Sequence, residues 1–194
     1  MEQTIKSRPI YTQLALDGTG TAHLLVTDHA KVPMPALAPD FDLDAIEHWT
    51  IAASSQVLPG PTMQGERKRR DAFRSEAQLL TMLRHRLARA TMGLRLYAVG
   101  SETFIWDVAE LGRAAGLGRQ EMHLAQAGSL RRRIYCPHCK TLTPAVTTTI
   151  VACVGCGARL GVRDHFSRRL GAFIGVQADA EEPGIDLAAA EITS

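Results

Sequence analysis

All four cysteines of this 194-residue chain fall in one short stretch, as Cys136-Pro137-His138-Cys139 and, after thirteen intervening residues, Cys153-Val154-Gly155-Cys156. Two residues between thiols let both sulfurs of a tight turn face one ion, and Gly157 tolerates the left-handed backbone such a turn uses. The chemistry indicated is four-thiolate metal binding by Cys136, Cys139, Cys153 and Cys156, with residues 141–152 as a hairpin that joins the two turns into a zinc ribbon. Four thiolates close a tetrahedral shell and leave no position for substrate or activated water. One Zn2+ per chain would therefore be structural, replacing the core that so short a module cannot bury. Two other readings use the same residues: a pair of disulfides, disfavoured in a reducing compartment, and rubredoxin-type iron, whose intervening chain is longer and more aromatic. His138 reads as solvent-facing. His165, in Arg163-Asp164-His165-Phe166-Ser167, reads equally as part of a docking segment or of a surface turn.

Outside the cysteines the sequence assigns no catalytic residue. There is no Ser-His-Asp order, His-rich cluster or phosphate-binding P-loop, and no cofactor-binding residue can be named from spacing. Length allows one domain plus a small module. Composition is ordinary for a globular chain, at 45% hydrophobic and 22% charged residues. No apolar run suits a membrane span and the N-terminus lacks a signal-peptide pattern, so the expected location is cytoplasmic. Charge is segregated: residues 66–140 hold fifteen basic and seven acidic groups, whereas 172–194 hold five acidic and none basic. A basic middle fits either a solvated arginine-rich surface or an anionic partner. A nucleic-acid-binding zinc-ribbon protein is the alternative suggested by the arginines of 67–70 and 131–133. The acidic tail, the net charge of +2 and an aromatic content of 5% weigh against it.

The elements that would position these residues follow from periodicity. Residues 23–27 and 49–53 read as buried strands, 40–47 as a short helix and 58–70 as a loop. Residues 71–92 read as an amphipathic helix with Phe73, Leu80, Leu83 and Leu87 on its apolar face. Residues 94–99 form a strand, Gly100-Ser101 a turn with an N-cap, 102–115 a helix stopped by Gly116, and 120–124 an edge strand. Strand, helix, strand in this rhythm predicts an α/β fold with a small, mostly parallel Rossmann-like sheet and flanking helices. After residue 130 the grammar changes to short strands with cysteine-bearing turns.

The run His23-Leu24-Leu25-Val26 and the run Leu96-Tyr97-Ala98-Val99-Gly100-Ser101-Glu102-Thr103-Phe104, closing at Ala115-Gly116-Leu117, resemble the nicotinamide-binding half of ferredoxin-reductase-like flavoproteins. There the first strand enters a glycine-rich loop that admits pyrophosphate to a helix N-terminus. Here the matching segment, Asp28-His29-Ala30-Lys31-Val32-Pro33, has no glycine and adds a negative charge. Val99 and Ser101 stand where the later family motif usually has cysteine and proline, and no flavin barrel precedes the first strand. The resemblance implies a reductase-like sheet without nucleotide binding, its crevice bordered by Asp28, Lys31, Gly100 and Ser101 and free to take a partner or ligand.

Over most of residues 20–183, and most sharply in IYCPHCKTLTP and VACVGCGARLGVRDHFSRRLGAFIGV, the chain resembles the DmmA family, a subunit of dimethylamine monooxygenase. The resemblance implies a reductase-like domain at 1–130, a zinc ribbon at 131–176 and an acidic tail at 177–194. It also implies a role in a multicomponent, NADPH-dependent, haem-containing monooxygenase that turns dimethylamine into methylamine and formaldehyde. Flavin, iron-sulfur, haem and NADPH would then sit on partner subunits, the reductase and haem oxygenase components. Arg163, His165, Phe166, Arg168 and Arg169 are the expected docking residues, since guanidinium and aromatic groups favour interface hot spots.

Overall fold

The computed structural model describes residues 7–52, 70–181 and 188–192. The chain divides into two compact units, Tyr11–Gly128 and a second made of Met1–Ile10 with Ser129–Ser194. The described residues 7–10 thus belong to the cysteine-bearing unit, not to the sheet that follows them.

In the first unit five parallel strands, β1 (Ala22–Thr27), β2 (Glu47–Ile51), β3 (Arg70–Phe73), β4 (Leu94–Gly100) and β5 (Met122–Gln126), run in the order β3-β2-β1-β4-β5. This is the order of doubly wound folds, in which ligands bind where the strand order reverses, here between β1 and β4. Strands covered on both faces read as unbroken apolar runs, and Leu24, Leu25 and Val26 have no exposed surface. On one face lie α1 (Glu76–Leu87) and α2 (Glu102–Ala114), packed on each other, with α1 over β2 and β3 and α2 over β4 and β5. The Ser75 hydroxyl caps α1 by accepting from Gln78 N at 3.2 Å. On the other face the β1–β2 connection carries only a short 3-10 turn, Met34–Ala36. Leu37, Phe41 and Ile46 from this connection, with Leu14 from the segment before β1, pack on Leu25, Tyr97, Val99 and Ala125. Ala36 O accepts from Leu14 N at 2.9 Å, and Leu14 O from Ala38 N at 2.8 Å, so the coil holds its shape without a helix.

Two expectations change. Residues 40–47 are not helical: Asp42 Oδ1 accepts from Asp44 N at 2.9 Å, a side-chain turn that competes with helix, and β2 has begun by Glu47. Arg70 to Phe73 form a strand paired with β2, so the helix starts later than expected, and its buried stripe is Leu79, Leu83 and Leu87, with Leu80 only half-buried. The expected loop at 58–70 lies outside the described residues except for Arg70.

In the second unit β6 (Arg132–Tyr135), β7 (Leu142–Val146), β8 (Ile150–Ala152), β9 (Arg159–Ser167) and β10 (Ala172–Gln177) form a sheet in the order β7-β6-β10-β9-β8, antiparallel except for β6 with β10. Ser7 pairs with His165 beside β9, and Glu191 with Thr148. Among the described residues of the acidic stretch, Gln177 ends β10, and Ile192 N donates to Thr147 O at 2.7 Å. The core is small, built on Ile134, Val146, Leu160, Phe166, Ala172 and Phe173.

Candidate metal centre and strand-end crevice

Each Cys-x-x-Cys turn is folded by its own backbone. Cys136 O accepts from Lys140 N and Thr141 O from Cys136 N, each at 2.9 Å; Cys153 O accepts from Gly157 N and Ala158 O from Cys153 N, also at 2.9 Å. The two turns are thus copies of one design. The residue after each second cysteine is left-handed, Gly157 at φ 73° and Lys140 at φ 66°. Glycine takes that conformation freely, whereas lysine is strained there. Gly155 is also required: a Cβ on it would lie 2.5 Å from Thr141 Oγ1 and 3.1 Å from Cys139 Sγ. The turns close on each other through this contact and through Val154 N, which donates to Thr143 Oγ1 at 3.3 Å.

The four Sγ atoms lie within 4.8 Å of one another. Cys139 and Cys153 are 3.5 Å apart, Cys136 and Cys156 3.9 Å. A tetrahedral ion with metal–sulfur bonds of about 2.3 Å spaces its sulfurs about 3.8 Å apart, so the cluster fits one ion. A disulfide would need about 2.05 Å. The Thr141 hydroxyl and N–H hold the Cys139 thiol down to about 6. Cys156, although the Ala158 N–H donates to it, is pushed up to about 12 by desolvation and by the surrounding sulfurs. Thiols packed this closely cannot all ionise unaided, and a bound cation removes that conflict. His138 is exposed, as expected.

At the carboxyl ends of β1 and β4, Asp28 lies over the N-terminus of α2. Its Oδ2 accepts from Ser101 N at 2.9 Å and from Ser101 Oγ at 2.8 Å. Its Oδ1 is 2.5 Å from His29 Nδ1, close enough for an ion pair though off the angle of a hydrogen bond. A Cβ on Gly100 would meet that carboxylate at 2.3 Å, and one on Gly128 would meet His29 Nε2 at 3.1 Å. The carboxylate stands where a helix N-terminus would receive a phosphate oxygen. Asp28, Gly100 and Ser101 therefore come together as expected, in direct contact with one another. Lys31 is exposed and takes no part in these bonds. Ser101 spends its hydroxyl on Asp28 and makes no side-chain cap bond within α2.

Comparison with known proteins bears on both sites. The family description "Dimethylamine monooxygenase subunit DmmA-like, N-terminal domain" matches residues 62–122, and the corresponding C-terminal domain matches 133–176, the span of the cysteine cluster. The chain belongs to the DmmA-like family. A relative from Ectopseudomonas mendocina (strain ymp), the heme-dependent oxidative N-demethylase delta subunit, is 43% identical over 111 residues, 57% of this chain and 63% of that protein. The match thus spans less than two thirds of the relative. No solved structure matches the chain.

The DmmA-like chain treats the expected docking residues unequally. Arg163, His165, Arg168 and Arg169 are exposed, the last two in the turn between β9 and β10. Phe166 is not available for docking: it is 7% exposed, and its ring packs edge-on against Phe173 at 4.9 Å. It falls on the inward side of β9 with Leu160, a period-2 pattern that the flanking charges hide. Beside it is a polar trio that sequence reading missed. Asp164 accepts from Arg8 at 2.6 Å and from Arg132 at 3.2 Å, and Arg8 above all holds its carboxyl below the usual range. The Arg132 guanidinium sits 4.3 Å above the Phe173 ring. The available signal was that Arg132, Ile134 and Cys136 alternate on one side of β6. Among the described residues no helix is long and apolar enough to cross a membrane.

Proposed function

We propose that this chain is a zinc-bearing accessory subunit of a multicomponent, NADPH-dependent, haem-containing monooxygenase that converts dimethylamine to methylamine and formaldehyde. On this reading it assembles the redox subunits and carries none of the chemistry itself. The observation that supports it most is the sulfur cluster: four ligands at tetrahedral spacing fill a zinc shell, so the ion organises the fold and offers no open position to substrate. The second support is the strand-end crevice, where Asp28 occupies the position a nucleotide phosphate would take. Cys136, Cys139, Cys153 and Cys156 hold the zinc. Flavin, iron-sulfur, haem and NADPH belong to the reductase and haem oxygenase partners. The exposed Arg163, His165, Arg168 and Arg169 supply the docking surface, with directional guanidinium contacts to the partner.

Reconstitution tests this directly. The partner components are assembled with and without the chain, and NADPH-dependent formaldehyde release is measured. Omission should abolish or strongly reduce turnover, and Arg163→Ala with Arg169→Ala should weaken complex formation while zinc content stays at one per chain. Equal turnover without the chain overturns the proposal.

A further inference from the structure

The four cysteines of the metal centre are not equally buried. Cys136 and Cys153 are buried, Cys139 is half-buried and Cys156 is exposed. The last turn offers little cover: Gly155 and Gly157 flank Cys156 with no side chain, both are exposed, and Val154 is 66% exposed. Cys153 and Cys139 sit 3.5 Å apart, and Cys153 Sγ also accepts from Gly155 N at 3.4 Å. Cys156 Sγ lies 3.9 Å from the sulfur of the buried Cys136, in a cluster whose four sulfurs are all within 4.8 Å of one another.

We infer that Cys156 is a modification site, the thiolate at which peroxide-type two-electron oxidants enter the metal centre, with Cys136 as the resolving sulfur. This rests on the four-thiolate metal reading above. A thiolate oxidises according to its access, and Cys156 is the most exposed cysteine of this cluster. The Cys156 thiolate attacks one peroxide oxygen; the O–O bond breaks, giving a sulfenic acid and releasing hydroxide. The Cys136 thiolate then attacks the sulfenic sulfur, forming the S–S bond and expelling a second hydroxide. The two sulfurs together lose two electrons, and the peroxide gains them. Two of the four ligands are then spent, so the site no longer holds its cation and the small second unit loses its main support. A dithiol reductant reverses the step by exchange.

The test uses the full chain, first shown by elemental analysis to carry its metal. Limiting hydrogen peroxide is added, remaining thiols are alkylated, disulfides are located by tandem mass spectrometry, and released metal is followed with a chromogenic chelator. The expected first product is the Cys136–Cys156 disulfide, formed in step with metal release and reversed by dithiothreitol. Cys156→His exchanges one thiolate for an imidazole that zinc also accepts, and should slow peroxide-driven release by about tenfold or more. A first disulfide between Cys139 and Cys153, or release from Cys156→His at the unsubstituted rate, overturns the inference. If that variant does not retain metal, the disulfide order in the unsubstituted chain decides alone. A chain purified without metal fails at the elemental analysis, before peroxide is added; that separate result removes the metal reading and this inference with it.

Discussion

Leu24, Leu25, Leu96, Tyr97, Phe104, Ile105 and Val108 lose all solvent contact in the first unit, on two faces of one sheet. In the second, among the described residues, only Ile134, Cys136 and Ala172 do so. The first unit is held by apolar burial of the kind any sheet covered on both sides supplies. The second covers less and inserts an arginine, Arg132, between Asp164 and the Phe173 ring. The difference teaches that one chain can combine two folding economies, and that the cysteine cluster is needed where apolar packing is thinnest. It also means the units should fail under different insults, and the chain carries its own reporter: both tryptophans, Trp49 and Trp106, are buried in the first unit.

The largest contrast should come from the metal. Structural zinc contributes on the order of 10 kcal/mol in small modules, more than this core can replace. Cys136→Ser, or a strong chelator, should open the second unit to proteolysis around Arg131 and Arg169 while tryptophan emission keeps its folded wavelength. Phe104→Ala should do the reverse, costing the first unit about 3–5 kcal/mol with metal content unchanged. Emission that shifts at the same chelator concentration as proteolysis begins would break the comparison.

A smaller, pH-dependent effect belongs to the first unit alone. Burial, with the Arg70 charge nearby, lowers His48 to about 4 from its ordinary 6.5. The unfolded chain takes up this proton near pH 6.5 and the folded chain only near 4, so stability is complete above 6.5 and falls as pH drops between those values. The loss should reach about 3 kcal/mol. Urea midpoints followed by tryptophan emission should fall between pH 7.5 and 5, and His48→Leu should flatten that slope. Equal slopes in the two proteins would show that His48 does not set it.

The smallest effects sharpen the local account. Asp28→Ala removes the acceptor of two Ser101 bonds and should cost the first unit about 1–2 kcal/mol. Lys140→Gly should relieve the strained turn and raise the chelator concentration at half metal loss, a gain of about 0.5–1 kcal/mol. A lower midpoint would mean the lysine contributes more than its backbone costs.

These elements were not equally legible in the sequence. β1, β4 and α2 could be read because each is a continuous apolar run or stripe, and the cysteine turns because their spacing is a local property. β3 could not: it is a four-residue edge strand, half of it charged, and Phe73 falls by chance at helical spacing from Leu80. The coil after β1 reads as potential helix because the side-chain turn at Asp42 and the pairing of Leu14 with Ala36 and Ala38 leave no periodic trace. The family resemblance places Asp28 and Ser101 at one crevice but not in contact, since their bond depends on two strands brought side by side from 73 residues apart. Phe166 was misplaced because charged neighbours made an inward-facing aromatic look like a surface one.

The placement of Ser7 bears on how the protein is made. Its pairing partner, His165, is synthesised long after it, so Ser7 has no seat until most of the described chain has followed. The intervening parallel sheet can complete itself in the meantime, since Tyr11–Gly128 is one uninterrupted stretch. Vectorial synthesis thus favours the sheet first and the cysteine unit last. During that interval the backbone N–H and C=O of Ser7, which later pair with Asp164 and Phe166, are left open to wrong partners.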